Sequence, residues 1–497
     1  MVDVCLIVEG TYPYVTGGVS AWVHQLIGSL HNLRFAVLHL SATADTLREF
    51  QYKFPPNVTY FQEIFLQDAR PEALPDYKKF PGHWKDDLIA MHQRLAGGDA
   101  RALEPAVNRF HSGHGPGLSL EEMLYSKPSW EMVERFYKEK AGDLSFLDYF
   151  WTWRFTHLPL FSILQQRLPD ARVYHAVSTG YAGLCGALAK MRTGAPFMLT
   201  EHGIYTRERR LEIEEAEWIY RDEGGAITEE RRQYFRDWWI RMFATLGRVA
   251  YQAADPIVTL CESNRAVQVA EGADPHRTRI IPNGIFPELF RDAQAAFTAR
   301  DPGRPFTIGF AGRVVSIKDM KTLLRAIKIV RSAEPGVQAL ILGPLDEEPD
   351  YTRECQELCD ILDIAPAVRF LGPVDLQRYY PQMDCLVLTS ISEGQPLVIL
   401  EAGCVGLPVV ATDVGACREL LQGVSAEDRA LGESGLVTPI ANPEATAAAL
   451  LRLARDPALR QRLGETGQRR VTTHYRQQDL LAEYNTLYQN LRTREAR

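Results

Sequence analysis

Short apolar runs alternate with helix-forming stretches along this chain, and the alternation occurs twice. Runs of three to six mostly apolar residues cover 4–8, 35–40, 173–177, 197–200 and 257–260 in the first half, then 306–310, 337–342, 368–371, 385–388 and 409–411 in the second. Such runs, separated by amphipathic helices, predict parallel strands buried on both faces. A chain of 497 residues also exceeds one ordinary hydrophobic core. We therefore expect an α/β protein with two doubly wound, Rossmann-like domains.

A segment rich in proline and glycine lies between the two halves. Residues 282–305 contain four prolines and two glycines without a sustained period, so we place the connection between the domains there, with a cleft beside it. The predicted domains cover 1–290 and 300–475. An amphipathic helix within 476–497 follows, and we expect it to pack back toward the N-terminal domain.

Residues from about 68 to 161 exceed what a minimal Rossmann half needs. This segment is rich in aromatic residues and prolines, and we interpret it as a helical insertion in the N-terminal domain. Two interpretations of its Trp130, Trp151 and Trp153 are open: they belong to a core, or they form a surface facing a partner or a membrane. The same alternatives apply to 237–243.

Composition excludes several classes of protein. The net charge of −8, without a basic cluster, argues against a nucleic-acid partner. The N-terminus has no basic leader, and no apolar stretch reaches 18 residues, so we expect a cytoplasmic protein that associates with membranes only through partners or a surface patch. Eight scattered cysteines lack metal-binding spacing and are expected to be buried, reduced thiols.

Gly17 and Gly18 follow the first predicted strand and come directly before a helix. Glycines let a ligand approach the backbone, and the start of the helix offers free N–H groups to an anion. The pair is either a phosphate or acceptor site or simply a turn. It does not match the dinucleotide-binding fingerprint, which disfavours a NAD or FAD enzyme.

Two cations, Arg313 and Lys318, lie in the loop between the first strand and first helix of the second domain. An arginine and a lysine five residues apart can hold a diphosphate from two sides and stabilise its charge as it leaves. The alternative is a pair of ordinary surface cations. Because ligands of doubly wound folds bind at the carboxyl ends of strands, the position favours a phosphate site.

Two acids, Glu393 and Glu401, stand on either side of the start of a predicted helix. Pro396 marks its first turn, so the two carboxylates are expected at different depths along one ligand. One can bind sugar hydroxyls and the other a ribose, although an acid at a helix start and a solvated acid are the alternative.

The arginine–lysine and glutamate pairs, followed by EAGCVGLPVVATDVGA, resemble the retaining GT-B glycosyltransferases of the GT4 type. The resemblance covers the second domain and the glycine pair, and it implies two Rossmann-like domains facing each other across a cleft. The opening residues and TEHGIYTRER are further similar to the cytosolic glycosyltransferases of Pel exopolysaccharide synthesis. That similarity implies a UDP-sugar donor, UDP-glucose or a UDP-N-acetylhexosamine, a growing polysaccharide as acceptor, and partners at the inner membrane.

The resemblance also implies roles for individual residues. Arg313 and Lys318 would hold the donor diphosphate, Glu401 the ribose, and Glu393 with the backbone of Gly394 and Gln395 the sugar hydroxyls. The loop from Leu371 to Val374 would receive the base, and His202 would lie beside the reacting face of the sugar, a structural histidine being the alternative. The sequence departs from the family at Gln395, where an aromatic residue is usual, and after Asn283-Gly284-Ile285, where an aspartate is usual.

The expected activity is retaining sugar transfer without a metal or a bound cofactor. Two cations at the diphosphate make a metal unnecessary, and the sequence lacks the D-x-D pattern of metal-dependent transferases. The same fold also hosts UDP-sugar epimerases and phosphorylases, although no motif for a phosphorylase cofactor lysine is present. A nucleotide-sugar-binding scaffold in a membrane synthase is the alternative outside the enzymes.

Overall fold

The computed structural model describes residues 1–44, 49–68, 84–96, 98–105, 107, 119–215, 229–301 and 303–493. The chain forms two compact units. The first comprises residues 1–259, 265–280 and 484–497, and the second comprises 260–264 and 281–483. Parts of the predicted insertion, including 69–83 and 108–118, lie outside the described residues.

The first unit is built on a seven-stranded parallel sheet. Its strands are β1 (Val2–Glu9), β2 (Phe35–Ser41), β3 (Val58–Phe65), β4 (Ala171–Ala176), β5 (Phe197–Glu201), β6 (Ile257–Thr259) and β7 (Thr278–Ile280). The spatial order is β3-β2-β1-β4-β5-β6-β7. The chain adds β2 and β3 on one side of β1. It then crosses back and adds β4 to β7 on the other side, as in a doubly wound domain.

Helices connect these strands and cover the sheet. They are α1 (Gly18–Ser29), α2 (Lys85–Ala96), α3 (Leu120–Tyr125), α4 (Lys127–Lys140), α5 (Phe146–Gln165), α6 (Gly180–Thr193), α7 (Tyr205–Glu215), α8 (Glu229–Ala253) and α9 (Glu262–Ala270), with a 3-10 turn at Ala100–Leu103. On α1 the predicted apolar stripe is buried at Val23, Leu26 and Ile27. Burying that stripe against the sheet is what holds so short a helix in place.

The second unit is built on a six-stranded parallel sheet. Its strands are β8 (Thr307–Ala311), β9 (Gln338–Leu342), β10 (Val368–Gly372), β11 (Cys385–Leu388), β12 (Val409–Thr412) and β13 (Gly435–Thr438). Their order is β10-β9-β8-β11-β12-β13. Its helices are α10 (Arg291–Thr298), α11 (Met320–Ala333), α12 (Pro349–Ile361), α13 (Leu376–Tyr379), α14 (Leu397–Val405), α15 (Cys417–Gln422), α16 (Ala426–Ala430), α17 (Pro443–Arg455), α18 (Pro457–His474) and α19 (Gln477–Thr493).

The proline-rich segment 282–305, where we placed the connection between the domains, packs with the second unit. It belongs to the second unit and contains a 3-10 turn, Pro287–Phe290, followed by α10. Ile285 holds it in place, since its N–H donates to the carbonyl of Tyr475 and its carbonyl accepts from the N–H of Gln477, both over 2.8 Å. Pro287 stands in the first turn, where its missing N–H costs nothing.

The tryptophans of the insertion divide between core and surface. Trp153 is 3% exposed and belongs to the hydrophobic core of the first unit. Trp130 and Trp151 are 49% and 46% exposed. Trp153 therefore belongs to the core, whereas Trp130 on α4 and Trp151 on α5 are exposed to solvent, and a surface facing a partner or a membrane stays a prediction for these two.

All eight cysteines are free and buried. Burial is the main cause that raises the pKa of the Cys404 thiol to about 12 and that of the Cys355 thiol to about 11. Thiols of this kind pack as small apolar side chains and react slowly. Among the described residues, every helix is too short or too polar to span a bilayer.

Candidate active site

The predicted cations and acids of the second unit lie at one edge of its sheet. Strand β8 has β9 on one side and β11 on the other, so the strand order reverses at this point. Arg313 and Lys318 follow β8, while Glu393 follows β11. Ligands of doubly wound sheets bind at the carboxyl ends of strands where the order reverses, and these side chains are at that position.

Lys318 and Glu393 form a direct ion pair. The Lys318 Nζ lies 2.5 Å from the Glu393 Oε1, and the side chains are only 19% and 10% exposed. The hydroxyl of Ser390 donates to the same Glu393 oxygen over 2.6 Å. The lysine of one loop and the acid of the other are thus held together, and both are partly exposed to a ligand arriving from solvent.

Arg313 is the more exposed of the two cations. Its guanidinium lies 2.7 Å from a carboxylate oxygen of Glu347 in the loop after β9, and both side chains are about half exposed. Exposed pairs of this kind contribute roughly 1 kcal/mol or less. The arginine can therefore exchange Glu347 for a more highly charged anion at little cost.

Glu401 lies on α14, behind the loop that carries Glu393. It accepts a short hydrogen bond from the hydroxyl of Tyr380, a residue with no exposed surface. Burial raises the pKa of the Glu401 carboxyl, and the Tyr380 hydroxyl opposes that rise. A carboxyl in such surroundings is ready to accept a ligand hydroxyl, since hydrogen bonds are what a buried carboxylate needs.

The backbone around Gly394 is fixed from two sides. The Gly394 carbonyl accepts from the N–H of Ala416 over 2.8 Å. The Gln395 side chain is 9% exposed and bonds both the N–H and the carbonyl of Asn283, over 2.7 and 2.8 Å. The amide that replaces the usual aromatic residue thus anchors the 282–305 segment through Asn283.

The loops after β8, β9 and β10 touch through glycines. Gly343 has φ of +133°, and a Cβ added there would lie 2.1 Å from the Gly312 carbonyl oxygen. Its N–H donates to the Gly372 carbonyl over 2.9 Å. Leu371 and Val374, on either side of Gly372, are partly buried against the core of this unit. The close approach explains why glycine stands at position 343.

In the first unit, Gly17 and Gly18 begin α1 as expected from their sequence position. Both are exposed, and a Cβ added to either would meet nothing within 4 Å. No side chain caps this helix. The start of α1 thus has no side-chain cap for its first N–H groups, and its backbone at Gly17 and Gly18 is open to close approach by a ligand.

His202 follows β5 and lies against Trp22, with ring centroids 4.6 Å apart and planes at 70°. Burial lowers the pKa of its imidazole to about 4, so the ring is neutral at pH 7. A neutral imidazole can donate through one nitrogen and accept through the other. Trp22 also packs edge to face on Tyr484 of α19, at 5.2 Å.

Glu201, the residue before His202, is buried in a polar network. It is 1% exposed and accepts hydrogen bonds from Thr179 over 3.0 Å, Tyr251 over 2.7 Å and Gln268 over 2.9 Å. Desolvation raises the pKa of its carboxyl to about 7, although these three donors oppose the rise. The network ties the end of β5 to neighbouring helices and so positions the His202 backbone.

The raised pKa of Glu201 predicts a pH dependence of folding. The folded state binds this proton more tightly than the unfolded state, so its contribution is complete below pH 4.5 and is lost as pH rises through 7. This loss of folding stability begins above pH 4.5 and amounts to about 3 kcal/mol at pH 7 and above. Glu201→Gln should remove it. Chemical unfolding of both proteins at pH 5 and pH 8 measures it. Parallel stability curves for the two proteins would contradict the assignment.

His175 connects β4 to the C-terminal helix α19. It is fully buried, and its ring nitrogens bond the Tyr488 hydroxyl over 2.6 Å and the Thr200 hydroxyl over 2.8 Å. Desolvation lowers the pKa of this imidazole to about 3. The last residues of α19 are therefore held to the first unit by a specific polar contact as well as by packing.

Removing the Tyr488 hydroxyl should destabilise the first unit. Tyr488→Phe leaves a buried histidine nitrogen without a partner, which costs roughly 1–3 kcal/mol. Chemical unfolding measures the loss, and Tyr60→Phe, which removes a hydroxyl from an exposed side chain of β3, is the control. Equal stability of the two variants would show that the His175 contact contributes nothing.

Several residues of this region were not predicted from the sequence. They are Glu347, Ser390, Tyr380 and Gly415 in the second unit and Glu9 in the first. Glu9 accepts from the Tyr205 hydroxyl over 2.6 Å and from the N–H groups that begin α6. Glu9 ends β1 and Glu347 lies in the loop after β9, so an acid at or beyond the carboxyl end of a strand is the signal that would have found both. Among the described residues, no group of three or more metal-ligating side chains is placed to hold an ion.

Two family models match the chain, and each match covers the region of one of the two sheets. Residues 2–276 match the model described as "Domain of unknown function (DUF3492)", which is more than half of the chain. Residues 305–456 match the model described as "Glycosyl transferases group 1". The candidate residues from Arg313 to Glu401 all lie inside the second match.

Curated relatives are 27–33% identical to this chain over the aligned residues. A D-inositol 3-phosphate glycosyltransferase of Acidothermus cellulolyticus is 28% identical over 58% of this chain and 61% of its own length. An MMP alpha-(1->4)-mannosyltransferase of Mycolicibacterium hassiacum is 27% identical over 75% of this chain and 85% of its own. The chain spans 48–69% of the length of four such inositol-phosphate enzymes.

Solved structures share the fold. Sucrose-phosphate synthase from Thermosynechococcus elongatus aligns with a TM-score of 0.58 at 18% identity, covering 98% of both chains. Anabaena HepE in complex with UDP aligns with a TM-score of 0.58 at 14% identity, covering 98% of this chain and 99% of that one. The likeness confirms the predicted α/β fold of the GT-B type, with two Rossmann-like domains.

Proposed function

Because the chain belongs to the DUF3492 family over residues 2–276 and carries a glycosyl transferase group 1 domain over 305–456, we propose that it is a retaining glycosyltransferase that uses a UDP-sugar. One observation carries the proposal. Lys318 and Glu393 are paired at the reversal of strand order in that domain, with Arg313 on the same loop as the lysine. A cation pair for a diphosphate and an acid for sugar hydroxyls are what such a donor requires.

In the proposed reaction, the bond between the anomeric carbon and the diphosphate oxygen breaks, and UDP leaves with the electron pair. The acceptor hydroxyl forms the new bond on the same face, and its proton passes to the departing phosphate. Arg313 and Lys318 stabilise the negative charge as it develops on UDP, so no metal is required. Glu393 and the backbone at Gly394 and Gln395 orient the sugar, and Glu401 binds the ribose.

The base of the nucleotide is placed at the loop from Leu371 to Val374. Gly17 and Gly18 offer the first N–H groups of α1 to an anionic or hydroxylated group of a substrate. His202, neutral at pH 7, hydrogen-bonds the sugar near its reacting carbon. Each of these roles is part of the proposal, and the UDP complex reported for HepE supports only the donor class.

For the substrate we propose a hexose or N-acetylhexosamine donor and a growing exopolysaccharide acceptor. The basis is the similarity of the N-terminal sequence to PelF, the glycosyltransferase of Pel polysaccharide synthesis, and it extends to inner-membrane synthase partners. The half-exposed Trp130 and Trp151 offer an apolar surface of the kind that such partners use. The same similarity is the basis for proposing a cytoplasmic location.

Nucleotide binding and turnover test the proposal together. A thermal-shift panel should show stabilisation by UDP and UDP-sugars but not by the adenine equivalents, because a ligand that binds only the native state raises apparent stability.

Incubation of UDP-glucose and UDP-N-acetylglucosamine with the protein and a polysaccharide acceptor should then release UDP, with and without EDTA. An isomerised donor would instead identify an epimerase, and binding without turnover would identify a scaffold. Absence of any UDP-dependent shift would refute donor binding.

A further inference from the structure

A cavity of about 310 Å³ lies in the first unit, among the insertion helices α2, α4 and α5 and the helices α6 and α8. None of the proposed donor-site residues lines it. Its volume is at the lower end of what small-molecule pockets occupy, about 300–1,000 Å³. The cavity therefore has room for a compact ligand, and nothing in the proposed sugar transfer uses it.

Aromatic rings form much of the cavity wall, and two of their nitrogens lack partners. Trp153 stacks on His157 with ring centroids 4.7 Å apart and planes at 13°. The indole N–H of Trp153 and the Nε2 of His92 are buried and make no hydrogen bond within the described part of the chain. A buried polar atom left unpaired costs roughly 1–3 kcal/mol, which a ligand that bonds it would recover.

The charged side chains of the lining are all cations. Lys140, Arg241 and Arg248 line the cavity, and no aspartate or glutamate is among the described residues that line it. Lys140 lies over the ring of Phe136 at 5.2 Å, and Arg248 donates to the Thr245 hydroxyl over 3.2 Å. Across the described ranges none of the three cations forms an ion pair. Burial lowers the pKa of His157 to about 4, so the neighbouring imidazole adds no charge at pH 7.

We propose that this cavity is a binding site for a small organic anion, with an aromatic or apolar body against Trp153 and His157 and an acidic group at Lys140, Arg241 and Arg248. The stacked rings of Trp153 and His157 can bind a planar or apolar part of the ligand through stacking and burial. Three unpaired cations attract an anionic group and disfavour a cationic one. The site is separate from the donor site and goes beyond the proposed sugar transfer.

Anilinonaphthalene sulfonate is a suitable probe, because phenylnaphthylamine has the same rings without the sulfonate. The sulfonate should bind the full-length protein at one principal site, with fluorescence transfer from tryptophan, and the neutral analogue should bind more weakly. Lys140 and Arg241 are both exposed at the rim, so the double variant Lys140→Gln/Arg241→Gln should fold normally. It should weaken sulfonate binding about tenfold and leave the neutral analogue unchanged.

Two further variants separate the cavity from other sites. Ala244→Trp fills the cavity without removing charge and should abolish binding of both probes. Arg135→Gln, on the exposed face of α4 where Arg135 pairs with Glu139, removes a cation outside the lining and should change neither. Equal affinity for both probes, or equal loss in Arg135→Gln, would overturn the proposal. Displacement of the sulfonate by UDP would also overturn it, while leaving the donor-site assignment intact.

Discussion

Lys318→Ala should lower kcat/KM for sugar transfer by roughly 10²- to 10³-fold, the loss that follows removal of one group that stabilises charge in a transition state. The substitution removes a cation from the proposed diphosphate site and also leaves Glu393 without the partner now 2.5 Å away. Arg313→Ala should show a similar loss in rate with little change in stability, because its pair with Glu347 is exposed. Initial rates with a saturating acceptor measure both effects.

Lys321→Ala is the matched control for this pair. Lys321 stands three residues further on and pairs with Glu354 over 2.6 Å, on an exposed surface. We expect it to retain full activity and an unchanged UDP-induced thermal shift. Full activity in Lys318→Ala, with Lys321→Ala as the reference, would remove Lys318 from the mechanism and leave Glu393 as an ion-paired structural acid.

Gly415→Ala should disrupt the loop that carries Glu393. Gly415 has φ of +51°, and a Cβ there would lie 2.1 Å from the Glu393 carbonyl oxygen and 2.4 Å from that of Gly394. Because both obstacles are backbone, the loop must move, and a displacement of about 1 Å at a site of this kind costs roughly 10²-fold in rate. Activity should therefore fall by that amount, together with a loss of stability of about 1–3 kcal/mol.

Gly432→Ala is the control that distinguishes backbone strain at a positive φ from the steric contact of Gly415 with the Glu393 loop. Gly432 has φ of +94°, so it carries a comparable backbone penalty, yet the nearest atom to an added Cβ is 4.0 Å away. It should lose stability, by about 1–2 kcal/mol, and keep its activity. Equal activity of the two variants would show that the approach of Gly415 to the Glu393 loop does not matter for turnover.

The strands that the sequence predicts are all the interior strands of both sheets and one edge strand, β10. Strands such as β1 and β11 are buried on both faces and appear as continuous apolar runs. The edge strand β3 was missed because most of its residues are only partly buried, and β7 because three residues are too few to show a period. β13, at the other edge of the second sheet, has a glycine and only four residues.

From the sequence, we could predict candidate residues within single loops but not the contacts between different loops. The positions of Arg313, Lys318, Glu393 and Glu401 follow from a spacing along the chain. The fold places the first three in loops after strands and Glu401 on α14. Their partners depend on which strands are neighbours. Glu347 meets Arg313 because β9 lies beside β8, and no local pattern states that order. Tyr380 meets Glu401 for the same reason, across 21 residues of sequence.

The burial of every cysteine gives this protein an internal reporter of unfolding. Two of the eight, Cys5 and Cys185, belong to the first unit and six to the second. A thiol reagent added to the native protein should react slowly, at a rate limited by transient opening. Mass spectrometry of the labelled peptides would then time the opening of each domain separately, without any engineered label.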